Sequence, residues 1–343
     1  MNNRSLLIAC LATLGLAVAG WGQADGTDVD NPADPSLSAG IEQAVTGSDG
    51  EAWVVGAIRR LTNDSDWDWR PSWSPDGHHI AFSSSRDGNY EIYVMDSDGS
   101  NPHRLTDHPA EDWFPSWSPD GRHIAYVSGR DGNYAIYVIG PDGSNPRNLT
   151  NDSYRHYYPS WSPDGRHIAF VTVRNNKAGI YVMDSDESYR RLLTIDSGVW
   201  SPSWSPDGQY IAYTSGHDGN YEIYVMGSAS GYRRRLTDHP SWDVRPSWSP
   251  DGQYIAFESN RDGNWEIYVM DSDGSNPRRL TDHPAEDKYP SWSPDGRHIA
   301  FQSSRDHGNY EIYVMDIASY TGGEPTAVAE TSWGRIKSLL SIP

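Results

Sequence analysis

Pro71-Ser72-Trp73-Ser74-Pro75-Asp76-Gly77 is the stretch on which the fold turns. Its core, Ser-Trp-Ser-Pro-Asp-Gly, starts at Ser72 and again at Ser116, Ser160, Ser203, Ser247 and Ser291, with spacings of 44, 44, 43, 44 and 44 residues. A period of about 40–50 residues marks a propeller or a solenoid. The contents of one period separate the two. After the turn Ser74–Gly77 come the strand-like His79–Ser83, the turn Arg86-Asp87-Gly88-Asn89 and the strand-like Tyr90–Asp96. The turn Asp98-Gly99-Ser100-Asn101-Pro102 and the short closing run Arg104-Leu105-Thr106 complete the unit. That makes four short strands, with no window long enough for a helix.

Each turn has its own chemistry. Pro75 sets φ for the second position of a type I turn and Gly77 suits the fourth. Asp87-Gly88 and Asp98-Gly99 supply the acceptors and positive-φ residues that tight hairpins need. The third strand, Glu91-Ile92-Tyr93-Val94-Met95, is apolar on both faces after Glu91. A half-exposed strand would alternate, whereas one sandwiched between neighbouring sheets need not. Four-stranded sheets packed face to face around an axis produce that burial, so the reading is an all-β β-propeller.

Composition narrows the function. The chain has 343 residues and a net charge of −20, with 15 Trp, 21 Tyr, 32 Gly, 23 Pro and one Cys. So many aromatic residues exclude a disordered chain. The carboxylate excess argues against a nucleic-acid binder and against docking on anionic lipid. The single Cys10 lies in a segment that begins with Arg4 and continues as the apolar run Leu6–Ala19, followed by small residues. That is the pattern of an export signal over 1–24, cleaved after Ala19 or Ala24, and it is too short for a stable membrane span. Leu7-Ile8-Ala9-Cys10 resembles a bacterial lipoprotein box, but the apolar core before it falls short of the usual ~7–15 residues. Residues 25–48 are acidic, Pro-rich and Ser-rich, and read as a flexible spacer. Residues 331–343 read as a short tail.

Trp-Ser-Pro-Asp-Gly followed by Ile-Ala-Phe, Ile-Tyr-Val-Met-Asp and Arg-Arg-Leu-Thr resembles the TolB-type propeller repeat, also called PD40 or WD40-like. The Gly-His and Trp-Asp signatures of ordinary WD40 repeats do not recur from copy to copy. The resemblance covers about 58–330 and implies a six-bladed propeller of four-stranded antiparallel blades, exported to the periplasm or outside the cell, with the propeller domain taken as 49–330. The α/β domain that precedes the propeller in TolB is expected to be missing, which puts a Tol–Pal role in doubt.

The blade count rests on the closing strand. The fourth-strand signature appears at Arg59-Arg60-Leu61-Thr62, ahead of the first Trp-Ser-Pro-Asp-Gly. A strand at 58–62 that pairs with Tyr310–Asp316 would close a six-bladed ring and remove its edges. Seven blades is the alternative. Asp49–Val55 reads as a degenerate third strand and Gly323–Val328 as another fourth strand, which compete for the closing edge or extend one blade.

Residues repeated in every blade are explained first by folding, so sites are sought where copies differ. Arg86, Arg130, Arg174, Arg261 and Arg305 are expected to tie turns to neighbouring blades. The most variable stretch leads into each first strand. It carries Asp66, Trp67, Asp68, Trp69 and Arg70, then Glu111, Asp112, Trp113 and Phe114, then His156, Tyr157 and Tyr158. The later copies carry Trp200, then Trp242, Asp243 and Arg245, then Glu286, Asp287 and Tyr289. Large rigid aromatics among charges suit a protein or peptide interface, and would also suit stacking on sugar rings. The competing reading is that they only pack on adjacent loops. The partner-binding set is therefore Trp67, Trp69, Arg70, Trp113, Phe114, Tyr157, Tyr158, Trp200, Trp242, Arg245 and Tyr289.

Other chemistries find less. Asp96, Asp98 and Asn101 have the oxygen-rich spacing of calcium loops without the closing bidentate Glu, and Asx turns explain them. No His-Glu-x-x-His or Cys/His cluster supports zinc. His108, His239 and His283 share one turn context, while His156, His217 and His307 depart from the repeat. No cofactor is expected. No Gly-x-Ser-x-Gly elbow supports a peptidase. Asp66, Asp68, Glu111, Asp112, Asp243, Glu286 and Asp287 would supply paired axial carboxylates for a glycan hydrolase or lyase. The favoured expectation is an exported, monomeric, non-catalytic scaffold for protein or peptide.

Overall fold

The computed structural model describes residues 43–46, 52–196, 198–306 and 308–320. The export segment with Cys10, residues 25–42 of the spacer, Gly323–Val328, His307 and the tail 331–343 lie outside the described residues.

Six antiparallel sheets follow one another along the chain. Blade 1 runs Asp68–Trp73, His79–Ser84, Glu91–Asp96 and His103–Arg104 from the axis outward. Blade 2 repeats this with Asp112–Trp117, Ile124–Ser128, Ala135–Ile139 and Arg147–Asn148. Blade 3 has longer strands, Arg155–Trp161, His167–Arg174, Lys177–Asp184 and Arg190–Asp196. Its central hairpin turns on Asn175 and Asn176, both at positive φ, as a two-residue hairpin turn requires. Blade 4 comprises Trp200–Trp204, Tyr210–Ser215, Glu222–Gly227 and Arg233–Arg235. Blade 5 comprises Asp243–Trp248, Tyr254–Ser259, Glu266–Asp271 and Arg278–Arg279.

Blade 6 is built from both ends of the described chain. Its first three strands are Asp287–Trp292, His298–Ser303 and Glu311–Tyr320, and its fourth is Ala52–Arg60. Ile58 pairs with Met315 and Arg60 with Tyr313, which is the closure expected from 58–62. Thr62 Oγ1 donates to Glu311 Oε2 at 2.6 Å, as Thr106 does to Glu91 and Thr237 to Glu222 within blades 1 and 4. The seam thus reproduces the bonds of an uninterrupted blade. Residues 52–55 are not a separate third strand. They continue the closing strand across an irregularity between Val55 and Ile58, and Gln43–Thr46 pairs with them as a fifth strand. These four residues lie within the stretch read as a spacer.

The double-sided apolar strands are explained by blade packing. Ile80, Phe82, Tyr93 and Met95 of blade 1 face Ile312 and Val314 of blade 6, while Ala81, Ile92 and Val94 face Ile124 and Tyr126 of blade 2. Burying a side chain of this size contributes about 1.5–3 kcal/mol. The Ser-Pro-Asp-Gly turns interlock around the ring. Gly77, at φ +72°, leaves its missing Cβ 3.4 Å from Pro294 of blade 6, and Gly121 stands likewise against Pro75.

Candidate functional site

The site begins with a backbone feature. In every blade the inner strand shifts register just before its Pro-Ser, for example between Trp69 and Ser72 and between Val244 and Ser247. The residue before each proline is left-handed. These are Arg70 (φ 60°), Phe114 (59°), Tyr158 (57°), Ser201 (50°), Arg245 (55°) and Tyr289 (57°). A pre-proline residue is ordinarily held extended, so this conformation is strained and kept by the bulge. All six copies share it, which makes it a property of the fold. Its consequence is local: it brings six non-equivalent side chains to the axis, where they line a cavity of about 180 Å³ with the Pro-Ser pairs that follow them.

The axial ring is lopsided. Phe114 and Tyr158 meet edge to face at 4.2 Å. Arg70 is 8% exposed, and its guanidinium carbon lies 3.3 Å from the Phe114 ring centre and 4.8 Å from that of Tyr289. Its Nη2 donates to Tyr289 Oη at 3.0 Å. Arg245, 7% exposed, lies 3.9 Å from the Tyr289 ring centre and ion-pairs with the fully buried Glu258. Burial opposes the Arg245 charge, but the Glu258 carboxylate outweighs it and holds the guanidinium above its ordinary pKa. Burial lifts the Glu258 pKa, against the pull of Arg245 and of the Tyr289 N–H that Glu258 accepts.

Above this ring lies a belt of aromatic side chains. Antiparallel connectivity puts the loops that enter each inner strand at the same end as the hairpins between second and third strands. Trp67 stacks on Trp69 at 5.3 Å, Trp69 meets Tyr90 at 5.3 Å, and Tyr90 meets Trp113 at 5.6 Å. Trp113 stacks on Tyr134 at 5.7 Å, and Tyr134 meets Tyr157 at 5.5 Å. Blade 3 has Ala178 at the hairpin position, and there the belt dips through Tyr158 to Trp200 at 6.2 Å. It continues through Tyr221 (5.8 Å), Trp242 (4.9 Å) and Trp265 (6.2 Å). Lys288 Nζ bridges Trp265 and Tyr310 at 5.5 and 5.6 Å, and Tyr310 returns to Trp67 at 6.0 Å. Each such pair contributes about 0.5–1.5 kcal/mol beyond its burial. Most of these rings remain half-buried, and Trp67 is 37% exposed.

The eleven residues singled out in the sequence fall into these two tiers. Trp67, Trp69, Trp113, Tyr157, Trp200 and Trp242 stand in the belt, and Arg70, Phe114, Tyr158, Arg245 and Tyr289 in the axial ring. Sequence reasoning missed the hairpin aromatics Tyr90, Tyr134, Tyr221, Trp265 and Tyr310, and left Lys288 of the variable stretch out of the binding set. It also missed the position after Ile-Ala-Phe/Tyr, which reads Ser83, Val127, Val171, Thr214, Glu258 and Gln302. Three of these accept the backbone N–H of an axial residue in the next blade: Thr214 from Arg245 at 2.9 Å, Gln302 from Arg70 at 3.2 Å, and Glu258 from Tyr289. A glutamate inside an otherwise apolar strand was the available signal.

The carboxylates considered for catalysis are engaged elsewhere. Asp68, Asp112, Asp243 and Asp287 are fully buried and bind Arg86, Arg130, Arg261 and Arg305 at 2.7–2.9 Å. These arginines therefore tie each hairpin to the inner strand of its own blade rather than to the neighbouring blade. Asp66 receives a bond from Ser65, and Glu111 one from Tyr134. Glu286 binds Lys288 at 2.7 Å, and that ammonium holds its pKa low despite burial. None of the seven lines the axial cavity.

For a metal, Asp64, Asp68 and Glu311 bring oxygens within 4.8 Å of one another. Arg86 already contacts Asp64 at 2.6 Å and Asp68 at 2.9 Å, so positive charge is supplied there. With two acids on one arginine, burial lifts the Asp68 pKa to about 7. Asp98 accepts Ser100 N–H at 2.9 Å, and Asn101 donates to Asp96 at 2.7 Å, the bonds of Asx-type turns. His156 occupies the aspartate position of blade 3 and binds Asp152 at 2.9 Å, while burial lowers its pKa. His217 replaces the hairpin arginine of blade 4, where Val199 stands at the aspartate position, and binds Asp196 at 2.7 Å.

A groove of about 640 Å³ lies on the other face between blades 4 and 5, lined by Pro206, Tyr210 and Trp248. Pro119, His123 and Trp161 line its counterpart between blades 2 and 3. It is the furrow that neighbouring blades leave, and it is not specific to one place. The axial ring and belt, by contrast, occur once and differ from blade to blade.

The class is thus a six-bladed propeller with an aromatic-rimmed axial mouth. A model of the TolB beta propeller domain matches residues 54–153 and 133–265, more than half of the chain, and the chain belongs to that family. A model of the Tricorn protease N-terminal beta propeller domain matches residues 230–330. TolB from Acinetobacter baumannii is similar in structure, with 26% identity and a TM-score of 0.59 over 73% of this chain; the chain spans only 63% of that protein. A gluconolactonase from Xanthomonas campestris is similar with 17% identity and a TM-score of 0.63, over 84% of this chain and 98% of that one. An oligogalacturonate lyase from Vibrio parahaemolyticus has 14% identity and a TM-score of 0.53, over 81% and 97%. At such identities the last two share the fold alone. Among the described residues no helix is long and apolar enough to cross a membrane.

Proposed function

We propose that this chain is an exported, non-catalytic binding module that receives a protein or peptide at the aromatic face of the propeller. The observation that carries the reading is the closed belt of half-buried rings around an axial cavity whose walls are Arg, Phe, Tyr, Ser, Arg and Tyr in turn. Rigid aromatics bury contact area at low entropy cost and dominate binding energetics at interfaces. The differing walls give the mouth an aromatic side at Phe114 and Tyr158 and a cationic side at Arg70 and Arg245. Membership of the TolB propeller family supports the same reading.

A glycan hydrolase or lyase is the other reading, and it would need two carboxylates free to act across a substrate. Each of the seven candidates has a hydrogen-bonding or ion-pair partner outside the cavity, and Glu258 is held by Arg245 and Tyr289, which favours binding. The test is affinity capture by the purified protein from its native envelope fraction, beside Trp69→Ala, Trp113→Ala and Tyr158→Ala variants. The partner is expected to be lost from the variants and kept by Tyr232→Ala, which alters a 78%-exposed ring in the opposite furrow. Unchanged capture by the three belt and ring variants would contradict the assignment.

A further inference from the structure

Two of the six axial residues are arginines, and the repeat lets them be compared position by position. Arg70 and Arg245 share the left-handed pre-proline backbone, nearly equal burial and a place on the same cavity wall. Arg245 finds its counter-ion thirteen residues on, in the second strand of its own blade, where Glu258 contacts its Nη1. Thirteen residues after Arg70, in the same strand of blade 1, the chain has Ser83. Among the described residues no carboxylate lies within salt-bridge distance of the Arg70 guanidinium, whose side-chain hydrogen bond goes to Tyr289 Oη. The buried Nε atoms of both arginines lack a hydrogen-bond partner, so the difference between them is the missing carboxylate, and the buried Ser83 hydroxyl that stands in its place has no partner either.

A guanidinium taken out of water needs compensation. The Phe114 and Tyr289 faces supply part of it through cation–π contact. With Nη2 donating to Tyr289 Oη, they leave the Nε side of the in-plane fork, the donors a carboxylate matches with two parallel bonds, only partly filled. Blade 5 shows what the position accepts when the chain supplies an acid. Blade 1 withholds that acid and leaves a cation at a cavity.

The geometry points to Arg70 as the anchor of a carboxylate subsite on the propeller axis, filled by a peptide that enters through the aromatic mouth. This rests on the reading of that face as a peptide-binding one. A cavity of about 180 Å³ enclosed by six blades takes one residue end-on. The acid is therefore the free C-terminus of the peptide or an Asp or Glu side chain at its tip. Phe114 and Tyr158 would pack on the apolar part of that residue, and Tyr289 Oη lies beside the acid.

The test titrates the full protein, by tryptophan fluorescence and by calorimetry, with four probes. N-acetylphenylalanine presents a terminal carboxylate, N-acetylphenylalanine amide presents none, N-acetylglutamate α-amide presents a side-chain carboxylate, and galacturonate presents a sugar acid. One of the two amino-acid carboxylates is expected to bind at least tenfold more tightly than the amide, and which one identifies the source. Arg70→Gln and Ser83→Glu are each expected to weaken that probe at least tenfold, the second by supplying in blade 1 the counter-ion that blade 5 carries. Equal binding of acid and amide, no binding of either acid, preference for galacturonate, or Ser83→Glu binding like the parent protein would each overturn the proposal. If Arg70→Gln does not fold, the acid–amide comparison and Ser83→Glu decide. Loss of the carboxylate preference with belt variants still failing in capture would remove the subsite and leave the binding face standing.

Discussion

Replacing Glu258 by Gln tests the axial electrostatics most sharply. The side chain is fully buried, pairs with an Arg245 that is 7% exposed, and accepts the Tyr289 N–H. Removing one partner of a buried pair costs about 3–5 kcal/mol, because the other charge is left uncompensated. Gln keeps the shape and the bond to Tyr289, and the Tyr289 and Trp200 faces, 3.9 and 4.8 Å from Arg245, still attract the cation. The expected net loss is therefore about 2–4 kcal/mol. For a domain of this size each kcal/mol lowers Tm by about 2–4 °C, so a fall of roughly 4–16 °C is expected by calorimetry at neutral pH. The double variant Arg245→Met with Glu258→Gln removes both charges, keeps the acceptor of the Tyr289 N–H and should recover most of that loss, as apolar replacement of a buried charge commonly does. Arg70→Gln removes a cation that has no carboxylate and should cost less than Glu258→Gln. A Glu258→Gln protein that melts within about 1 °C of the parent, or a double variant less stable than the single one, would refute the reasoning.

Two further outcomes follow from the seam and the turns. The Asp68 pKa is raised to about 7, so this group contributes stability that is fully present below the ordinary carboxylate range and is lost as pH rises through about 7. The parent protein should therefore lose stability relative to Asp68→Asn between about pH 4 and 7, by at most about 1.4 kcal/mol per pH unit, and level off above that; a constant difference in denaturation midpoint across this range would argue against it. Gly274 (φ +92°) and Gly88 (φ +98°) share a positive φ, but a Cβ at Gly274 would lie 2.5 Å from Leu236 O while one at Gly88 meets nothing within 4 Å. Gly88→Ala should cost about 1–2 kcal/mol of backbone strain alone. Gly274→Ala should cost clearly more, and equal melting temperatures would show that the close approach carries no weight.

Much of this fold is written in one period of the sequence. Ser74-Pro75-Asp76-Gly77 specifies its turn locally: Ser74 Oγ donates to Asp76 at 2.6 Å and accepts the His79 N–H at 2.9 Å. Closure was equally legible, because Arg60 and Thr62 bring to Glu311 the partners that a fourth strand brings within its own blade. The long Ala52–Arg60 strand was harder to read, since the irregularity after Val55 breaks its alternation and makes two pieces of one strand. The hairpin arginines were read toward neighbouring blades because their partners stand eighteen residues earlier, a separation that no local pattern advertises.

The site was half legible for a related reason. Variation among copies found the entry loops, where Trp67, Trp69 and Trp113 stand out. It overlooked Tyr90, Tyr134 and Tyr221, which recur so regularly that they read as fold. It also overlooked Glu258 and Gln302, single departures inside an Ile-Ala-aromatic signature. Whether a repeated aromatic joins a belt depends on which end of the blade its hairpin occupies, and that is set by the ring as a whole. The contrast between Arg70 with Ser83 and Arg245 with Glu258 needed no coordinates to notice, but only the shared bulge and burial give it meaning.

The central claim is that the aromatic mouth, and no other surface of the propeller, receives a partner. Photo-crosslinking in the native host decides it most directly, with benzoylphenylalanine placed at Trp67 or Trp242 in the belt and, separately, at Tyr232 or Tyr189 outside it. The account predicts a discrete crosslinked adduct from the two belt positions and none from the other two. Adducts only from Tyr232 or Tyr189, or from none of the four, would contradict it.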